Sequence, residues 1–235
     1  MSSSGSNNKP SEEVYQMREY LVMAVPKGTL YKPTIGLLKK AGFNCDEMEL
    51  DTRKLLFVDD ELKVKYIVCR PTDIPTFVEY GAADLGFAGK DTIVEQKKDV
   101  FELLDLKYGY CRFVVAMPEA VAKEKDWEQI NHARVATKFP RVAEQFFSGK
   151  GKQMEIIKLH GNIELACLVG LSDLIVDIVS TGRTLKENKL VEVAQIFNST
   201  TRLIANRVSH RMLSRRINPV IEKMRDIIEN GGVEG

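Results

Sequence analysis

The sequence predicts an α/β fold built as two similar lobes. Short apolar runs bounded by Gly, Pro and Asp alternate with segments of helical spacing from residue 20 onward, which is the pattern of strands packed against helices. One pattern also recurs. Gly81-Ala82-Ala83-Asp84-Leu85-Gly86-Phe87-Ala88 and Gly170-Leu171-Ser172-Asp173-Leu174-Ile175-Val176-Asp177 each set a helix-ending Gly before an Asp-Leu that opens an apolar strand. Alone, the recurrence is no more than two similar helix-to-strand turns; the loop after the second copy decides for two lobes. Ligands in open α/β sheets sit beyond the carboxyl ends of the strands, so each copy is expected to end at a ligand cleft.

The elements follow in order. Tyr20 to Val25 is an apolar run stopped by Pro26 and Gly28, a buried strand. Lys32 to Lys40 reads as a helix: Pro33 suits its first turn, Ile35, Leu37 and Leu38 supply contacts, and Gly42 closes it. Leu55 to Val58 and Leu62 to Val68 are strands around Asp59-Asp60, which makes a hairpin. Ile74 to Tyr80 is a short helix, Asp84 to Ala88 a strand leading into Gly89, and Asp91 to Gln96 a helix. Phe101 to Asp105, Cys111 to Met117 and Arg134 to Thr137 are strands, and Val142 to Phe147 is a helix. Ile156 to Leu159 is a strand, Ile163 to Val169 a helix and Leu174 to Val179 a strand. Val191 to Phe197 and Arg202 to Asn206 are further strands. Ile217, Val220, Ile221, Met224 and Ile228 form a helical stripe, with Asn218-Pro219 as its start signal; packing on the chain's own core is its expected use, and an interface with another copy or another subunit is the alternative. The expected division is a disordered polar tail at residues 1–18, a first lobe of residues 19–108 plus 191–235, and a second lobe of residues 109–190.

Composition excludes several function classes. With 34 Lys and Arg against 33 Asp and Glu, the net charge is +1, so there is no footprint for nucleic acid or an anionic membrane, and any anion site must be local. Hydrophobic residues make up 44% of 235, enough for one large core or two small ones without disulfides. Cys45, Cys69, Cys111 and Cys167 form no CxxC pair, and His132, His160 and His210 are scattered, so no zinc constellation can be read. The polar N-terminal segment has no apolar stretch of signal-peptide type, and no run is long enough to span a bilayer. A cytoplasmic protein is expected.

The chemistry sits in Leu174-Ile175-Val176-Asp177-Ile178-Val179-Ser180-Thr181-Gly182-Arg183-Thr184-Leu185. A buried strand delivers the carboxylate of Asp177, and a Thr-Gly-x-Thr turn then enters a helix. Gly182 permits the backbone conformation in which successive N–H groups converge as an anion nest. Thr181 and Thr184 add hydroxyls, and the helix presents its positive end. A Thr-Gly-x-Thr by itself is a capped turn. Preceded by apolar-Asp-apolar-apolar-small, it places a carboxylate for a sugar beside a cradle for a phosphate, as a ribose 5-phosphate requires.

This run is similar to the phosphoribosyl pyrophosphate loop of phosphoribosyltransferases. Other segments narrow the resemblance: Ala24-Val25-Pro26-Lys27-Gly28-Thr29-Leu30, Arg53-Lys54-Leu55, Arg70-Pro71-Thr72-Asp73-Ile74-Pro75-Thr76, Gly81 to Gly86, Ala88-Gly89-Lys90-Asp91, Ala136-Thr137-Lys138-Phe139-Pro140 and Gly161-Asn162-Ile163-Glu164-Leu165-Ala166. In this order, from Leu21 to Ser209, they resemble the ATP phosphoribosyltransferase family. The resemblance implies a two-lobed fold like that of type II periplasmic binding proteins, with the active site in the cleft between lobes. It implies attack of adenine N1 of ATP on C1 of phosphoribosyl pyrophosphate, with inversion and loss of pyrophosphate, the first step of histidine biosynthesis. The nucleophile is neutral near pH 7, so positioning and charge stabilisation carry the catalysis.

By the same resemblance, Glu164 and Asp177 face the ribose hydroxyls, and Ser180, Thr181, Gly182, Arg183 and Thr184 take the 5-phosphate. Lys27, Arg53 and Arg70 are the catalytic cations, facing pyrophosphate or the ATP phosphates. Lys27, Gly28, Arg70, Asp73, Gly89, Lys90 and Asp91 are the expected ATP-binding set. Mg²⁺ is expected on the substrate phosphates, with Asp177 its one candidate protein ligand. His160 reads as a packed or surface residue. Thr29 stands where the family often has Arg, which weakens the case for that turn at the leaving pyrophosphate. Only His210 to Gly235 follows the catalytic segments, so the chain resembles the short form of the family. That form implies a homodimer alone and a hetero-octamer with a regulatory subunit resembling histidyl-tRNA synthetase. The residues leave two rivals: a phosphoribosyltransferase for another base, and a non-catalytic small-molecule binding protein.

Overall fold

A computed structural model describes residues 19–50 and 53–231; the expected tail at residues 1–18 lies outside the described residues. The chain divides into two compact units. One holds the described residues up to Ile93, Lys97–Gly109 and those from Thr200 onward; the other holds Val94–Gln96 and Tyr110–Ser199.

In the first unit, numbering strands along the chain, the sheet contains β1 (Leu21–Pro26), β2 (Leu56–Asp59), β3 (Val64–Cys69), β4 (Leu85–Gly89), β5 (Val100–Asp105) and β11 (Thr201–Asn206). Their order is β2-β3-β1-β4-β11-β5. β3, β1 and β4 run parallel, and β2 and β11 are antiparallel to their neighbours. Alternate side chains go to opposite faces. Leu21, Met23, Val25, Leu85, Phe87 and Leu203 pack with α1 (Tyr31–Lys40) and α10 (Ser214–Glu229). Ala24, Ala88 and Ile204 meet α3 (Ile74–Glu79) instead. Gly86 lets that helix approach: a Cβ there would stand 2.7 Å from methyls of both Ile74 and Val78. The apolar stripe of α10 is buried in this core, with Ile217 and Met224 at 0% exposure, so its use is packing on its own unit.

The second sheet comprises β6 (Cys111–Pro118), β7 (Arg134–Thr137), β8 (Glu155–Lys158), β9 (Leu174–Val179) and β10 (Leu190–Ser199), in the order β10-β6-β9-β7-β8. β8, β7 and β9 are parallel, and β6 is antiparallel to both β9 and β10. Phe113, Val115, Val135 and Val176 pack against α6 (Pro140–Gly149). Val114, Ala116 and Ile175 face α7 (Leu165–Leu168) and α8 (Arg183–Glu187) on the other side.

The recurring sequence pattern is a structural repeat. Gly81 and Gly170 both end their helices at positive φ, +73° and +72°. Asp84 N–H donates to the Val22 carbonyl at 2.8 Å, and Val22 N–H returns a bond to the Asp84 carboxylate at 2.8 Å. Asp173 does the same with Arg134, at 2.9 Å in both directions. The registers match as well, Met23 beside Leu85 and Val135 beside Leu174.

Several details differ from the sequence reading. The sequence places Val191 onward in the first lobe, but β10 pairs with β6 along its length, so the chain returns only at Thr200. Alternating residues announce a strand without naming its partner. Asn218-Pro219 does not start a helix; Pro219 lies inside α10, where it removes the intrahelical donor to the Arg215 carbonyl. The first turn is secured instead by Arg216, whose guanidinium donates to the carbonyls of Glu19 and Lys63 at 2.8 Å each. The helix expected over Ile163 to Val169 shrinks to the single turn of α7. Short helices α2 (Asp46–Glu49) and α5 (Glu119–Glu124) are too brief to give a periodic signal in the sequence, and α4 (Lys90–Gln96) and α9 (Arg207–Met212) complete the set among the described residues.

Asp84 ties the first unit together. Fully buried, it also accepts the Ser209 hydroxyl at 2.6 Å. Asp84→Ala would leave the Val22 N–H and that hydroxyl without this acceptor, at about 1–3 kcal/mol each, and should lower Tm by roughly 10 °C. Thermal unfolding followed by circular dichroism checks this; a Tm within about 2 °C of the parent would remove Asp84 from that role.

Candidate active site

In each unit three parallel strands end on one edge, and the expected site residues gather there. In the first, Lys27 and Gly28 follow β1, Arg70 and Asp73 follow β3, and Gly89, Lys90 and Asp91 stand at the end of β4. Lys27 N–H donates to the Cys69 carbonyl at 2.8 Å, joining the ends of β1 and β3. In the second, Glu164 lies beyond β8, and Asp177 and the loop to Thr184 lie on and after β9. Cys69 shares the first edge, but burial pushes its thiol up to about 11, so it is no nucleophile at neutral pH.

Glu164, Asp177 and the loop from Ile178 to Leu185 line a pocket of about 220 Å³. β9 is buried through Val176 and then delivers Asp177 half-buried at its carboxyl end. Gly182 adopts φ +76°, the left-handed conformation that any other residue takes at a cost. A Cβ there would meet nothing closer than 3.6 Å, so conformation and not space demands the glycine. Arg183 N–H reaches the Thr181 hydroxyl at 3.4 Å. The Arg183 guanidinium pairs with Glu187 at 2.7 Å and is largely exposed, so its available donor toward the pocket is the backbone. α8 has only five residues, so its dipole adds less than the sequence suggests and the loop itself forms the cradle.

Asp177 is electrostatically primed. Its carboxyl is raised to about 6: burial is the largest cause and the charge of Glu164 adds to it, against a hydrogen bond from the Ile178 N–H at 2.8 Å and the charge of Lys138. The pocket therefore sets two carboxylates near one another, a setting that favours a ligand rich in hydroxyls or carrying a cation.

The first unit has its own pocket, of about 740 Å³. Lys27, Lys32, Arg53 and Lys54 stand around it, and Tyr31, Met48, Leu55 and Phe57 give it an apolar wall; Gly28 and Thr29 complete the rim. Arg53 and Lys27 are thus brought together. Arg70 and Asp73 are exposed in the turn after β3 and do not line this pocket. Asp73 serves the start of α3, its carbonyl accepting the N–H groups of Thr76 and Phe77. Lys90 is ion-paired with Glu102 at 2.5 Å, and Asp91 accepts the Thr92 hydroxyl at 3.2 Å. His160 is exposed beyond β8.

Sequence reasoning missed one pair beside the loop. Arg112 of β6 and Glu192 of β10 form a two-pronged ion pair, and Arg112 Nη1 stands 3.5 Å from the Ser180 carbonyl oxygen. The available signal was an arginine inside an otherwise apolar strand, Cys111-Arg112-Phe113-Val114-Val115.

Comparisons with known proteins show the family and the fold. The family model HisG: ATP phosphoribosyltransferase matches residues 70–226. ATP phosphoribosyltransferase of Syntrophomonas wolfei is 57% identical over 213 residues, 91% of this chain and 98% of the relative. That of Moorella thermoacetica is 54% identical over 221 residues, 90% and 95% of the two chains. Among solved structures, the ATP phosphoribosyl transferase (HisG:HisZ) complex from Thermotoga maritima has a TM-score of 0.76 at 35% identity, covering 89% of this chain and 99% of that one. The substrate binding protein of an amino acid ABC transporter matches at 0.57 with 14% identity, covering 91% and 95%, which shows a shared periplasmic-binding-protein-like fold and nothing of activity. Identity of this depth along nearly the whole chain, on the fold and loop just described, means that the chain belongs to the ATP phosphoribosyltransferase family.

Proposed function

We propose that the second-unit pocket takes the phosphoribosyl group of phosphoribosyl pyrophosphate, which the enzyme transfers to N1 of ATP with release of pyrophosphate. The observation that carries this is the left-handed Gly182 loop beside the desolvated Asp177 in one small pocket. The N–H groups and hydroxyls from Ser180 to Thr184 hold the 5-phosphate. Asp177 and Glu164 accept hydrogen bonds from the ribose hydroxyls, whose donors relieve the crowding of negative charge. Lys27 and Arg53, on one pocket of the first unit, face the phosphates of pyrophosphate or ATP; Arg53 stabilises the departing charge as it develops. Arg70, Asp73, Gly89, Lys90 and Asp91 share the strand-end edge with them and belong to the ATP side.

Mg²⁺ is proposed to arrive on the substrate phosphates. Asp177 and Glu164 fit as its protein contacts, because each carries charge the other repels. Mg²⁺ bound there would supply neutralisation of the pyrophosphate oxygens. The Thermotoga maritima structure is a HisG:HisZ complex, and this chain is proposed to work with a regulatory subunit of that kind in the cytoplasm. No helix among the described residues is long and apolar enough to cross a membrane.

The test is a substrate screen. Protein, Mg²⁺ and phosphoribosyl pyrophosphate with ATP should give a new ultraviolet-absorbing adduct, and free bases should give none. Gly182→Val should retain its fold and lose about a hundredfold in rate, the scale of one misdirected donor. Near-normal turnover in that variant would end the phosphate-loop reading.

Asp177 generates a pH prediction. The free enzyme needs the carboxylate, so kcat/KM for phosphoribosyl pyrophosphate should fall about tenfold per pH unit below about 6. Stability moves the opposite way. An aspartate raised in the folded state binds its proton more readily there than in the unfolded chain. Its penalty is absent below about pH 4, grows through the window to about pH 6, and is complete above it. Asp177→Asn should therefore abolish activity and stabilise the fold at pH 7 by up to ~3 kcal/mol, with no gain at pH 4. Denaturant titrations at the two pH values check this; equal effects at both would contradict it.

A further inference from the structure

We infer that Arg112 and Glu192 are positioning residues that aim the phosphate loop, acting through the Ser180–Thr181 peptide. The inference rests on the proposed role of that loop and concerns how its geometry is set.

Three adjacent strands converge under the loop. In the order β10-β6-β9, Arg112 of β6 is registered beside Val179, the last residue of β9, and Glu192 projects from β10. Arg112 Nε donates to Glu192 Oε2 at 3.0 Å, and Nη2 donates to Oε1. The carboxylate therefore fixes the plane of the guanidinium, leaving Nη1 to point at the Ser180 carbonyl, 3.5 Å away and at the long end of hydrogen-bonding distance. The Arg112 and Glu192 side chains keep 25% and 31% of their exposure, so the pair lies at the surface, and it is the two-pronged contact that holds the guanidinium in one orientation. It also abuts the glycine: Glu192 Oε1 and Arg112 Nη2 lie 3.6 and 3.8 Å from where a Cβ of Gly182 would stand.

The consequence follows from peptide geometry. The carbonyl of Ser180 and the N–H of Thr181 belong to one planar trans unit and point in opposite directions. Drawing the carbonyl toward Arg112 turns the Thr181 N–H away from β6, toward the side on which an anion would lie. Without the guanidinium this peptide is free to rotate, and its carbonyl can face the phosphate. Glu192 is needed because it orients the guanidinium and keeps the cation on the carbonyl side of the loop.

The opposing idea is that Arg112 is itself a phosphate ligand, parked on Glu192. The two differ in sign for Glu192→Gln. Release of a parked cation would lower KM for phosphoribosyl pyrophosphate; loss of an aiming partner raises it. Steady-state kinetics on the full chain should show Arg112→Ala raising that KM about tenfold, with KM for ATP within about twofold of the parent. Glu192→Gln should move it the same way by a smaller factor. Arg112→Lys should rescue only in part, since an ammonium can meet Glu192 but has no second fixed arm for Ser180. The double variant should be little worse than Arg112→Ala alone, because both act through one peptide. Unchanged KM for phosphoribosyl pyrophosphate in Arg112→Ala and Glu192→Gln, or tighter binding in the latter, overturns the inference. If Arg112→Ala fails to fold, the near-isosteric Glu192→Gln carries the test. Gly182→Val run alongside separates the two levels. If it is impaired while the Arg112 and Glu192 variants are normal, only the positioning role falls; if it is normal, the loop reading itself falls.

Discussion

Each sheet depends on one aspartate clasped to the neighbouring strand. Asp84 and Asp173 exchange backbone and carboxylate hydrogen bonds with Val22 and Arg134 at the point where β4 and β9 begin. That exchange sets where the strand starts, and with a rise of about 3.3 Å per residue it also sets where the strand ends. A slip of one residue would send the buried side chains of β4 and β9 to the wrong face, and would carry Asp177 from the pocket to the opposite side of the sheet. The two clasps are built differently. Asp84 is buried and shared with Ser209, whereas Asp173 is partly exposed and held by the Arg134 guanidinium at 3.1 Å. The geometry is repeated while its chemistry is not.

From those fixed strand ends, the two pockets acquire opposite characters. The second-unit pocket is small and carries carboxylates, with a cradle of backbone donors alongside. The first-unit pocket is larger, rimmed by cations and partly apolar. A sugar phosphate matches the first description, since its hydroxyls satisfy acceptors and its anion meets N–H groups. A polyphosphate attached to a flat ring matches the second. The strand end holds Asp177 in a setting that resists its charge.

The parts legible in the sequence are those whose chemistry is local. The loop from Asp177 to Thr184 can be read because carboxylate, glycine and hydroxyls lie within one short run, and every strand of the two sheets announces itself by a short stretch rich in apolar residues. The Gly-Asp-Leu repeat is legible for the same reason. Pairing is not local. Nothing in Leu190 to Ser199 says that its neighbour is β6, which is why the return to the first unit is misplaced by one strand. Arg112 and Glu192 are hidden by the same ignorance, because they are 80 residues apart and meet only once that pairing exists. Asn218-Pro219 misleads for another reason: an anchored arginine one turn earlier outweighs a local start signal.

The place of β11 bears on how the chain is made. It lies between β4 and β5, with Thr201 beside Gly89 and Arg202 beside Asp105. Synthesis from the N-terminus delivers β4 and β5 early, yet the strand that joins them comes only after the whole of Tyr110–Ser199. The second sheet has all its strands by then and can close while the first still exposes unpaired backbone, the kind of edge on which nascent chains associate. α10, which covers one face of the first core, emerges later still. Maturation on the ribosome therefore runs against the order of translation: a nascent chain stalled before Thr200 carries a completed second unit behind an open, adhesive first sheet.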